Sequence, residues 1–135
     1  MARDQWARIE LRGVNRLTAV ARKSFLVASE KAVLMSPVDK ALFKNNWFTE
    51  INSITSDTTA STSRSGSSSL SGARSKASIL EIGDSISFAN ALPYAVRLEN
   101  GWSDFARDGI VKVIDSEWQN ITSIVVREVR NDRSI

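Results

Sequence analysis

The chain of 135 residues contains no cysteine and no histidine. Those two absences exclude a disulfide scaffold, a thiol nucleophile, a Cys/His zinc site and a Ser-His-Asp triad. They also exclude a histidine switch near neutral pH. The six glycines are scattered, so neither a phosphate-binding loop nor a dinucleotide fingerprint can be written through them. Apolar runs such as Ile110-Val111 and Ile124-Val125-Val126 are short, far below the roughly 20 residues that span a bilayer. The opening Met1-Ala2-Arg3-Asp4-Gln5 leads into mixed polar sequence instead of an apolar signal core. Synthesis and use in a cytoplasm, or assembly into something made there, is the expectation, with no membrane partner and no cofactor.

Hydrophobic residues make up 42% of the chain and charged residues 24%, ordinary proportions for one globular domain spanning residues 1–135. The net charge of +3 is unevenly spread. Residues 1–48 hold nine basic and four acidic side chains, whereas residues 49–109 hold five and seven. A positive head beside a mildly negative middle suits self-association or a polyanionic neighbour.

Residues 5–35 predict one long helix. Trp6, Ile9, Val14, Leu17, Ala21, Phe25, Ala28, Ala32 and Met35 recur mostly at steps of three and four, drawing an apolar stripe. Such a helix is about 45 Å long, which is long for a small domain, so one end overhangs or packs on a neighbour. Arg8, Arg12 and Arg16 line another face, with Arg22 and Lys23 further on. This row is either a solvated face or an electrostatic contact surface. Ser36-Pro37 stops the helix, because the proline ring disfavours helical geometry at Ser36. Asp39 can cap a short helix over residues 40–45. Residues 47–54 then alternate as a strand, with Trp47, Thr49 and Ile51 on one face.

Residues 55–78 are the compositional outlier, with fourteen Ser or Thr among twenty-four. They predict an extended, slightly basic arm or loop carrying Arg64, Arg74 and Lys76. A stretch so poor in apolar side chains needs another surface to order it, and another subunit is the expected one. Residues 79–82 and 85–89 suggest a hairpin about Gly83-Asp84, with Ile86 and Phe88 facing the core. Pro93 opens a short helix over residues 93–99, and Asn100-Gly101 ends it with residues that accept left-handed geometry. A final helix runs from about Gly109 to Arg130 on the stripe Ile110, Val113 or Ile114, Trp118, Ile121, Val125 and Val129. The order predicts an α+β domain: a small antiparallel sheet with a long polar inter-strand loop, helices packed on one face.

The search for chemistry is short. Asp115 and Glu117 stand two apart and cannot face each other on a helix, and Asp104 with Asp108 falls in a loop. No catalytic or metal-binding set is proposed. The basic residues could supply phosphate contact without base reading, so a non-specific DNA-binding protein is the reading from a different class. Of the four tryptophans, Trp47 and Trp118 fall on apolar faces and are expected in the core. Trp6 and Trp102 could be interface anchors.

Two blocks together carry a resemblance. The first is Ser36-Pro37-Val38-Asp39, followed by Leu42 or Phe43, Lys44, Asn45, Asn46 and Trp47. The second runs Asn90-Ala91-Leu92-Pro93-Tyr94-Ala95-Val96-Arg97-Leu98-Glu99-Asn100-Gly101-Trp102-Ser103. A Pro-Val-Asp block before a short helix and strand, then Pro-Tyr-Ala and Glu-x-Gly, resembles the tail-completion and neck proteins of tailed double-stranded DNA bacteriophages. Lys40-Ala41 stands where that family usually has Thr-Gly after the Asp. The resemblance implies a small α+β subunit, without enzymatic activity, that forms an oligomeric ring in the virion, commonly a hexamer. Such a ring joins the head connector or head-completion protein to the tail tube or tail terminator, and surrounds the DNA channel. A tail terminator or minor tail subunit is the nearest alternative. Pro37, Asp39, Trp47, Pro93, Tyr94, Glu99, Gly101 and Trp102 are then structural: caps, turns and packing. Tyr94 is expected to bury its ring beside the sheet, its hydroxyl paired. Arg8, Arg12, Arg16, Arg64, Arg74 and Lys76 are the candidates to meet a neighbouring subunit or passing DNA.

Overall fold

A computed structural model describes residues 2–37, 41–101 and 107–135. Its elements run α1 (Ala2–Met35), a 3-10 turn (Phe43–Asn45), β1 (Trp47–Ile51), α2 (Ser67–Ala77), β2 (Ile86–Asn90), α3 (Ala95–Glu99) and α4 (Val111–Asn131). The chain is α+β, with a long N-terminal helix, a two-stranded antiparallel sheet and further helices.

The second half of α1 is the central post. Its inward residues are small or compact: Ser24, Ser29, Ala32 and Val33 are buried beside Phe25. That relief lets two helices lie close to it. Gly66 abuts Val33, Ala73 and Ala77 cluster with Phe25, and Arg22 Nε donates to Leu80 O at 2.9 Å. α2 therefore runs antiparallel to α1. α4 does the same on another side: Ile110 packs with Ala32, Lys31 pairs with Glu117, and Lys23 lies 3.9 Å from Asp132. On α4 the buried positions Ile121, Val125 and Val129 repeat at four-residue steps and give the helix its inner stripe.

The sheet closes the third side. β1 pairs with β2 from Trp47 opposite Asn90 to Ile51 opposite Ile86. Trp47 and Phe88 stack with centroids 5.0 Å apart and planes 4° from parallel, while Phe25 meets Phe88 edge-on at 5.9 Å. These offset and edge contacts are the favoured aromatic geometries.

Three expectations need correction. Residues 67–77 are helical, so residues 55–78 are not one extended arm. Leu70, Ala73, Ala77 and Leu80 recur at steps of three and four and turn an apolar edge to the body. The rest of the segment is held by two buried amides of the same chain. Asn46 Nδ2 donates to Thr59 O at 3.0 Å, and its Oδ1 accepts from Thr59 N–H at 2.9 Å. Asn45 Nδ2 donates to Ser63 O at 2.7 Å, and its Oδ1 accepts from Ser68 Oγ at 2.9 Å. These bonds replace the apolar anchoring the segment lacks.

The hairpin about Gly83-Asp84 is also absent: residues 79–84 form turns, and the partner of β2 is β1. Asp84 explains the local geometry, since Oδ2 accepts from Glu81 N–H and Oδ1 accepts from Asn52 Nδ2, both at 3.0 Å. Its side chain satisfies a backbone donor that a ladder would otherwise have used. Finally, Trp118 is 42% exposed and is not a core residue.

Candidate assembly interface

Every described side chain from residue 3 to residue 15 is exposed. At 1.5 Å per residue, about 16 Å of α1, residues 3–13, stands clear of the body, while Val14 and Asn15 line a groove with Glu81, Ile82 and Ile135. The segment is not polar all round. Trp6 is 66% exposed, Ile9 60% and Leu17 60%, with Leu11 and Val14 also uncovered. On a helical wheel Trp6, Ile9, Gly13 and Leu17 fall within a sector of roughly 80°. Gly13 has nothing within 4 Å of the position a Cβ would take, so the stripe carries an open notch at its middle. Scattered exposed apolar residues are normal, but a contiguous row over several turns marks an interaction surface.

The body presents the reciprocal feature. A cleft of about 340 Å³ opens between α1, the sheet and α4. Phe25, Ala28 and Ala32 line its α1 side, Trp47 and Phe88 its floor, and the exposed ring of Trp118 its rim. Asp115 contributes a carboxylate to the lining.

The two sequence blocks named above come together although 42 residues separate them. Trp47 Nε1 donates to Ser36 Oγ at 2.9 Å, and Ser36 Oγ donates to Ala32 O at 2.7 Å. Asn90 Nδ2 donates to Phe43 O at 2.9 Å, and the Phe43 and Tyr94 rings lie 5.9 Å apart. Leu92, Ala95 and Leu98 pack on the same cluster. Pro37 is half-buried where α1 stops, whereas Pro93 is exposed and precedes α3 by two residues. Tyr94 is not buried, being 36% exposed, and its ring packs on Phe43.

Glu99 has the most specific task. Its Oε2 accepts from the N–H groups of Ile110 and Val111 at 2.8 and 2.9 Å, and its Oε1 accepts from Lys112 N–H at 2.8 Å. It thereby caps α4 from outside the helix, satisfying donors that Ile110 cannot serve. Partial burial pushes the carboxyl pKa up; the three N–H groups and the Lys112 charge outweigh it and hold the value below the ordinary range. Gly101 and Gly109 make the return possible, with φ of +86° and +82°. A Cβ on Gly101 would lie 2.5 Å from Arg107 O, and one on Gly109 would lie 2.6 Å from Glu99 O.

The candidate basic residues do not share a surface. Arg8 and Arg12 lie on the projecting part of α1, and Arg16 at its base has a buried Nε. Arg64 precedes Gly66 at the Val33 level, about 25 Å further along α1. Arg74 is exposed near the end of α2, and Lys76 lies 3.6 Å from Glu50. Asp39 and Trp102 lie outside the described residues. Composition hid the roles of Asn45 and Asn46; two adjacent amides before a strand and a Ser/Thr tract were the signal available. Among the described residues, no helix is long and apolar enough to cross a membrane.

The geometry defines a class: a helix-rich α+β chain with a projecting amphipathic helix and an open aromatic cleft. Comparison of the chain with protein-family models, curated proteins and solved structures gives no match.

Proposed function

We propose that the protein is a structural virion subunit of a tailed double-stranded DNA bacteriophage. Copies of it form a closed ring, with six favoured, at the head–tail junction. The ring joins the connector to the tail and surrounds the DNA channel, and its work is geometric, with no reaction catalysed. The observation that supports association is the projecting half of α1, whose apolar row is left exposed by the described residues. The neck position draws its support from the two sequence blocks, which pack as one unit around Phe43, Trp47 and Asn90. Exposed Arg8 and Arg12 suit a position beside DNA, where contact with phosphate needs no base reading.

Electron microscopy of the purified protein, alone and with connector and tail-tube proteins, tests this reading. Closed rings with an axial opening that seat on the connector are expected. Monomers or open filaments in the presence of both partners would sink it.

A further inference from the structure

The projecting helix and the cleft are complementary in chemistry, and one copy cannot bring them together. α1 is continuously helical over Ala2–Met35. Trp6 lies nineteen residues before Phe25, the first α1 residue of the cleft, which is about 28 Å along a straight helix. A protomer therefore exposes a donor stripe at one end of α1 and an apolar receptor beside the other. Contact between such different patches is heterologous: it runs head to tail, giving a ring where the rotation closes and a filament where it does not.

We propose that the cleft between α1, the sheet and α4 receives the projecting α1 of a second copy of this chain, with Trp6 as the anchor and Ile9 beside it. This rests on the ring reading above and specifies the contact that builds the ring.

Size, lining and charge each favour that occupant. The cleft holds about 340 Å³, roughly twice the ~150 Å³ that accommodates benzene in an apolar cavity. An indole with an aliphatic neighbour fits that space. Phe25, Trp47, Phe88 and Trp118 offer ring faces and edges, the partners an aromatic guest uses best. Buried tryptophans surrounded by apolar contacts are the commonest interface anchors. The projecting segment carries Arg3, Arg8 and Arg12 against Asp4 and Glu10, a small positive excess, whereas the charged side chain in the cleft lining is Asp115. A basic helix thus approaches a carboxylate, which favours this orientation of docking. The notch at Gly13 lets the helix axis approach a partner closely at mid-stripe.

The test uses two variants at exposed positions, Trp6→Asp on the stripe and Trp118→Asp on the cleft rim. Circular dichroism and melting identify any variant that fails to fold; Asp115→Arg then serves as the second cleft variant. Sedimentation should show self-association of each variant weakened about 30-fold or more, as for a central aromatic anchor. Mixing the two is the decisive arm. Each retains one intact half, so a one-to-one pair should form and grow no further. Loss of association in Trp6→Asp alone would overturn the proposal in favour of helix-to-helix pairing. Wild-type-like rings from both variants would overturn the docking while leaving the ring reading intact. Wild-type filaments abolished by both variants would support the docking and overturn ring closure. A wild-type chain that stays monomeric at every concentration overturns the docking.

Discussion

The indole N–H of Trp47 donates to Ser36 Oγ at 2.9 Å, tying the first residue of the sheet to the residue that ends α1. Ser36 is fully buried, and its hydroxyl donates a hydrogen bond to Ala32 O at 2.7 Å. Removal of the hydroxyl leaves the buried indole N–H of Trp47 without its partner. Ser36→Ala should therefore destabilise the fold by about 1–3 kcal/mol, the cost of an orphaned buried donor. Urea unfolding followed by tryptophan fluorescence measures it. An unchanged midpoint would show that the bond carries no stability.

The Ser/Thr-rich segment depends on two amides more than on its own composition. Asn46 is fully buried and makes three bonds, to Leu42 O and to both backbone groups of Thr59. Asn46→Ala would release Thr59 and loosen the strand of residues leading to exposed Arg64. Tryptic cleavage after Arg64 should be markedly faster than in the wild type, with about 2 kcal/mol lost in global stability. Equal cleavage rates would mean that α2 alone holds the segment.

Periodicity made α1 and α4 legible, because steps of three and four place Phe25, Ala32 and Val33, or Ile121, Val125 and Val129, on one side. Strands were legible at about residues 47–54 and 85–89, where β1 and β2 lie, but not their pairing with each other, which closes a long loop that local signals do not encode. α2 was hidden because its inner edge is mostly alanine and its outer face serine, a composition that favours turns when read alone. Trp118 shows a different limit. Its position on the α4 stripe points inward, yet it stays 42% exposed, because the space beside it is the open cleft. Sequence named Trp6 as a candidate interface anchor; the cleft is built from four separate elements and existed only once they packed.

Glu99 links stability to acidity. Its folded pKa lies below its unfolded value, so the carboxylate stabilises the fold fully above the unfolded value, near 4.3. That contribution is lost as pH falls through the lower, folded pKa. Glu99→Gln keeps the shape of the side chain and removes the charge that faces the α4 N-terminus. At neutral pH it should cost about 0.5–2 kcal/mol, as for loss of a helix cap. Its stability curve should also be flatter than that of the wild type below about pH 4.5. Chemical denaturation at several pH values decides the matter, since parallel curves would assign the acid dependence to other carboxylates.

Residues 3–15 should be the least protected helix in the protein when it is dilute. An isolated helix of this length is marginal in water, and only its continuity with the packed half of α1 supports it. Gly13 costs it about a further 1 kcal/mol relative to alanine. In hydrogen exchange on dilute protein these amides should exchange at opening energies near zero, while those of residues 24–33 approach the global value. Concentration or addition of the assembly partners should slow residues 3–15 together with the cleft residues Phe88 and Trp118, because one event covers both. Gly13→Ala should slow the dilute segment without altering residues 24–33. Strong protection of residues 3–15 in a verified monomer would mean that the projecting helix is stable alone, and association would then not be what orders it.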